Sequence, residues 1–146
     1  MSQFNPEEFL HTETEGGFDT KYTAIPEGDY RAVVDEVSSR MTSKGQAIMD
    51  VTFSILDDEL KQKLNLQKAT VRMSIFLDLD ESGALKKGTN ANIKLGKLLE
   101  ACGITGRWNP NMLEGAGPVL INVSQRKNED DPEIVYNDVK RVAKLS

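Results

Sequence analysis

A chain of 146 residues, 38% hydrophobic and 28% charged, suffices for one domain with its own core and is too apolar to stay unfolded as a whole. One cysteine, Cys102, excludes an intrachain disulfide, and a single histidine, His11, leaves too few ligands for a zinc site. The net charge of -5 argues against a polyanion partner only until it is located: Glu7, Glu8, Glu13, Glu15 and Asp19 all lie in residues 1–20, which hold no Lys or Arg, so the remainder is neutral.

Residues 1–21 are polar and acidic with no sustained periodicity, and they read as a disordered leader ahead of a domain over 22–146. No basic region precedes an apolar stretch at the N-terminus, and no apolar run approaches the ~20 residues of a membrane span. The expected setting is the cytoplasm. Pro26-Glu27-Gly28 is turn chemistry, and a first strand follows over about Asp29–Ser38, with Tyr30, Ala32 and Val34 alternating with polar positions. Ser38–Gly45 is expected to be a loop carrying Arg40 and Lys44. The second strand, about Gln46–Leu56, puts Ala47, Met49, Val51, Phe53 and Ile55 on one face.

A charged connection, Asp57–Lys68, with room for a helical turn, leads to a third strand over about Ala69–Leu79. There Val71, Met73, Ile75 and Leu77 face inward, and Arg72, Ser74, Phe76 and Asp78 face outward. Asp80-Glu81-Ser82-Gly83 is a turn. Thr89 or Asn90 then caps a helix over about Ala91–Ala101, whose Ala91, Leu95, Leu98, Leu99 and Cys102 share one face. Gly103 stands where a left-handed C-terminal cap is needed. After a loop containing Trp108 and Gly115-Ala116-Gly117, a fourth strand spans about Val119–Gln125 and a fifth about Glu133–Val142. In the fifth, Val135, Val139 and Arg141 are expected on one face and Ile134, Tyr136 and Asp138 on the other. The predicted fold is all-β with one helix: a five-stranded OB-fold barrel of order β-β-β-α-β-β, with the helix between the third and fourth strands.

The sequence offers little to a catalyst. A triad would have to use His11 in the leader, Cys102 reads as part of the helix's apolar face, and no glycine-rich loop has phosphate-cradling spacing. The expectation is a protein without catalytic residues, metal or cofactor. What remains is an outer face where cations and rings interleave: Arg72 and Phe76 on the third strand, Arg40 and Lys44 in the first loop, and Arg126 and Lys127 at the neck of the last hairpin. A single strand of nucleic acid needs cations for its phosphates and flat rings on which its bases stack. Trp108 is a second stacking candidate, with anchoring of its own loop as the competing role; Tyr136 is open in the same way.

Ile25-Pro26-Glu27-Gly28-Asp29-Tyr30-Arg31-Ala32 resembles the opening of phage-encoded single-stranded DNA-binding proteins of the recombination and replication type. Asn90, Asn92 and Leu95-Gly96-Lys97-Leu98-Leu99-Glu100-Ala101-Cys102-Gly103 resemble their helix, and Tyr136-Asn137-Asp138-Val139-Lys140 their final strand. The resemblance implies an OB-fold, sequence-independent binding of single-stranded DNA, phage recombination or replication proteins as partners, and the cytoplasm of an infected host cell. One departure is that the acidic segment here precedes the domain, whereas many single-strand binders carry theirs at the C-terminus. The alternative is a protein-interaction or assembly module on the same barrel, with Phe76 in a homo-oligomer interface and no nucleic-acid binding.

Overall fold

Period-two alternation gives each strand one apolar side, and five such strands bury those sides together by closing on one another. The computed structural model describes residues 3–16 and 23–145. Strands β1 (Gly28–Met41), β2 (Ala47–Ile55), β3 (Thr70–Phe76), β4 (Val119–Lys127) and β5 (Val135–Lys144) form a ring in the order β1-β2-β3-β5-β4, with β4 returning to β1. The ring is uneven. All its junctions are antiparallel ladders except β3–β5, which is parallel and held by the single pair Arg72–Asp138.

β1 serves two neighbours in succession: Gly28–Ala32 pair with β4, and Ala32–Met41 pair with β2. The change of direction is made at a bulge, where Val34 pairs with Phe53 and Glu36 with Thr52, leaving Asp35 as the extra residue. Past the bulge the faces exchange, so Val37, not Glu36, lies against the core. The backbone groups of Val34 are taken up by the Gly115–Gly117 loop: Val34 N–H donates to Ala116 O at 2.9 Å, and Gly115 N–H donates to Val34 O at 2.7 Å. That glycine pair, weak as a sequence signal, braces the bend that lets the ring close. The ladder then runs on to Met41, because the reversal needs only Thr42–Gln46 with Gly45 at a φ of 84°. Arg40 is therefore a strand residue and not the loop residue expected.

The expectation of one helix needs correction. Besides the helix between β3 and β4, α1 (Pro6–His11), α2 (Asp58–Lys63) and a 3₁₀ turn (Pro110–Leu113) are present. α1 lies in the leader, is capped by the Asn5 side chain, and has no buried residue. The expectation of a disordered leader falls in part on residues 1–2 and 17–22, outside the described residues. In α2, Asp57 Oδ1 accepts the Leu60 N–H at 3.0 Å and Leu60 is buried, so a short charged stretch is anchored at one point.

α3 (Ile93–Ala101) starts two residues later than Ala91, and neither Thr89 nor Asn90 caps it. Asn92 stands at that boundary with left-handed backbone, and its side chain bonds outward. Its Oδ1 accepts the Asp78 N–H at 2.7 Å, and its Nδ2 donates to Asp78 O and Lys86 O, both at 2.9 Å. This residue ties the helix start to the end of β3. Leu95, Leu98 and Ala101 are buried under the barrel, with Leu99 and Cys102 flanking them. At the far end Gly103 takes a φ of 71°; its N–H donates to Glu100 O, and the Ile104 N–H donates to Leu99 O, the paired bonds of a Schellman cap.

Phe53, Ile55, Ile75, Leu98, Leu113 and Ile121 are fully buried at the centre. Ile25 joins them although it precedes β1: Asn137 Oδ1 accepts its N–H at 2.8 Å, and Asn137 Nδ2 and Gln125 Nε2 donate to its carbonyl at 2.8 and 2.9 Å. The segment just ahead of β1 is thus pinned to β4 and β5.

Candidate nucleic-acid interface

Antiparallel register aligns the outer faces of β1, β2 and β3 into three rows: Glu36–Thr52–Arg72, Ser38–Asp50–Ser74 and Arg40–Ile48–Phe76. The first row continues across the seam through the Arg72–Asp138 pair, and Asp138 lies opposite Ser124 on β4. One register step further, Tyr136 faces Arg126. One continuous outer face therefore carries Arg40, Arg72, Phe76, Tyr136 and Arg126.

The centre of this face is a buried carboxylate. The side chain of Asp50 is 5% exposed, accepts Arg40 Nε at 2.7 Å on Oδ2, and accepts Ser74 Oγ at 2.6 Å on Oδ1. The bond from Arg40 is the main reason the Asp50 carboxyl is held below the usual carboxylate range; burial opposes it, and Ser74 and the charges of Arg40 and Arg72 assist. Ile48, between Arg40 and Phe76, is buried yet lies outside the core cluster. Phe76 is 62% exposed. An apolar spot with an open ring thus sits beside a guanidinium, a geometry that suits stacking of a planar ligand.

At the other end Arg126 donates Nε to Asp138 Oδ2 at 3.0 Å, and its guanidinium lies 5.1 Å from the centre of the Tyr136 ring. Asn128 Nδ2 donates to the Tyr136 hydroxyl at 3.1 Å, which fixes that ring. Tyr136 is a face residue whose side of the strand was legible in the alternation, but nothing in the sequence revealed its cation–π partner.

Three of the expected site residues come together on this face: Arg40, Arg72 and Phe76, with Arg126 at its margin. Lys44 stands exposed at the tip of the β1–β2 hairpin. Lys127 alternates with Arg126 along β4 and so falls on the opposite side of that strand. Trp108 is half-buried and packs against the core, away from the rows of the β1–β3 face. The cations on the face are also more compensated than their sequence positions suggested. Arg40 and Arg126 are ion-paired, and only Arg72 has no ion pair among the described residues.

Cys102 is half-buried at the end of α3, and burial pushes its thiol up, away from the reactive range. Among the described residues no cluster of His, Cys, Asp and Glu could hold a metal ion, and no helix is long and apolar enough to cross a membrane.

Fold and face together define a class: a small, mostly-β protein whose five strands close in a ring and display a polar outer face with exposed aromatic and guanidinium groups. No protein-family model matches the chain, and a comparison with curated protein sequences found no match.

Proposed function

We propose that the ring is an OB-fold barrel and that the chain is a non-enzymatic binder of single-stranded DNA, working through the outer face of β1, β2, β3 and β5. The observation that carries this reading is the row Arg40–Ile48–Phe76, with an exposed ring in one row with a cation and Arg72 four residues away on the same face of the same strand. Bases would stack on Phe76 and Tyr136, phosphates would meet Arg72 and the hairpin tip at Lys44, and the strand would be held without reading its sequence. The ring order, with β1 shared between β2 and β4 and α3 closing one end, supports the fold assignment. The resemblance of residues 25–32, 90–103 and 136–140 to phage single-strand binders supports a place in phage DNA replication or recombination.

The test is fluorescence anisotropy of labelled oligo-dT against matched duplex, titrated with salt. Preferential binding of the single strand, weakening with a log–log slope of about -0.7 per phosphate contacted, is expected. Binding that is undetectable at low salt sinks the reading.

A second reading is favoured by the same exposed Phe76, since a 62% exposed phenylalanine also suits a protein partner or a second copy of the chain. Light scattering separates the two, because a stable oligomer indifferent to oligonucleotides supports an assembly module.

A further inference from the structure

Among the described residues, one concentration of unpaired positive charge lies away from the outer face of β1–β3. It lies around a cleft of about 520 Å³ between α3 and β5, lined by Lys94 and Lys97 from the helix and by Lys140 and Arg141 from the strand. All four are exposed, and none forms an ion pair among the described residues. The one carboxylate of the lining, Asp29, is bonded by Asn122 Nδ2 at 2.9 Å. Met73 and Leu98, both buried, form its apolar floor.

The cleft has two structural causes. β3 and β5 share a single pair, Arg72–Asp138, so beyond it the strands part and α3 fills the gap. β5 also carries a bulge: Val123 pairs with Val139 but Asn122 with Arg141, so Lys140 is the extra residue. The bulge exchanges the faces of β5. Arg141, expected to share a side with Val139, is instead level with Asn122 on the outside, while Val142 turns toward the core. Two adjacent cations are thereby presented together on the strand, opposite two lysines one turn apart on the helix.

We propose that this cleft is a second anion-binding site, which takes the phosphate backbone of a single strand as it leaves the outer face. The inference rests on the single-strand-binding reading above. Holding four cations against one carboxylate, Asp29, around one cleft is unfavourable until a polyanion neutralises the excess, and a strand gains affinity there by counterion release. The route is short: Lys140 follows Asp138, the seam partner of Arg72, by two residues, or about 6–7 Å along β5. A short oligonucleotide is satisfied by the rings of the outer face, whereas a longer one continues into the cleft.

The test uses the full chain with Lys94→Ala and Lys97→Ala together, substitutions that suit an exposed helix face. Binding is measured across salt with oligo-dT of about 6 and about 30 nucleotides, lengths near the lower end of and well above the span of about 4–16 nucleotides expected for one such domain. The long strand is expected to lose about tenfold or more in affinity at low salt, with a slope shallower by about 1.4 for two lost contacts. The short strand should change by less than about twofold, as should a control, Lys61→Ala with Lys63→Ala, that removes the same charge from α2. Equal losses for both lengths, or for the control, would overturn the site as a distinct one, as would an unchanged long-strand affinity. Failure of the parent chain to bind either strand would instead reject the single-strand reading itself. Amide resonances of Lys94, Lys97, Lys140 and Arg141 should shift with the long strand. If they shift on Glu7→Lys with Glu8→Lys in the absence of DNA, the chain's own acidic leader is the occupant and the proposal is overturned.

Discussion

Replacing Asp50 by Asn tests both how the face is held and how its charge is tuned. The substitution keeps the shape and removes the charge on which the Arg40 and Ser74 bonds converge. A hydrogen bond to a buried charged group is worth about 1.5–3 kcal/mol. The Arg40 side chain is 53% exposed, so its share falls toward the roughly 0.2–1 kcal/mol of a surface pair. The net loss is therefore about 1–2 kcal/mol, or about 2–8 °C in Tm for a chain of this size. The pH dependence has a definite sign. The folded carboxyl is depressed, so its contribution is complete above its unfolded value of about 3.9 and is lost as pH falls through the lower folded value. The gap in Tm between the parent and Asp50→Asn, read by circular dichroism melts, should be full near neutrality and should shrink in acid below about pH 4. The same change releases Arg40, so oligo-dT should bind with a slope steeper by up to about 0.7. A variant as stable as the parent at neutral pH, with the same acid limb, refutes the reasoning.

Phe76→Ala should weaken oligo-dT binding by about 1–3 kcal/mol, roughly five- to 150-fold, with little change in Tm, because the ring is mostly in water; anisotropy and melting curves check this. Gly117→Ala should destabilise the fold by about 1–2 kcal/mol in chemical denaturation: φ is 119°, and an added Cβ would lie 3.1 Å from Ala32 O and 3.3 Å from Val33 Cα, both backbone atoms of the bulged β1. Cys102 should react with a thiol reagent more slowly than a free cysteine at mildly alkaline pH, and at the normal rate once denaturant unfolds the chain, since burial raises its pKa.

The strands were readable because apolar alternation is a local signal, and their face assignments held wherever the ladder is regular, as in β2 and β3. The reading lost its footing at the two bulges. Neither Asp35 nor Lys140 differs in type from its neighbours, yet each inserts one residue and exchanges every face beyond it. The bulges set the faces of Arg40 and Arg141, whereas Arg40 is in a strand at all because the hairpin reverses only over Thr42–Gln46. Charge pairing was equally hidden. Arg40 and Asp50 are ten residues apart, and only the register of the β1–β2 ladder, which also sets Asp50 beside Ser74, brings them together. The half-burial of Trp108 and the bonds that hold Ile25 come from contacts with distant segments that no local pattern encodes. The helix was legible through its apolar face and Gly103, but its start was set by Asn92 bonding back to Asp78 and Lys86.

The most direct measurement of the central claim is an amide chemical-shift map of the full chain titrated with a short oligo-dT of about 6 nucleotides. The account predicts shifts concentrated at Arg40, Ile48, Arg72, Phe76 and Tyr136, saturating at one strand per chain and reversed by salt. An unperturbed spectrum, or shifts that leave these five residues untouched, would contradict it.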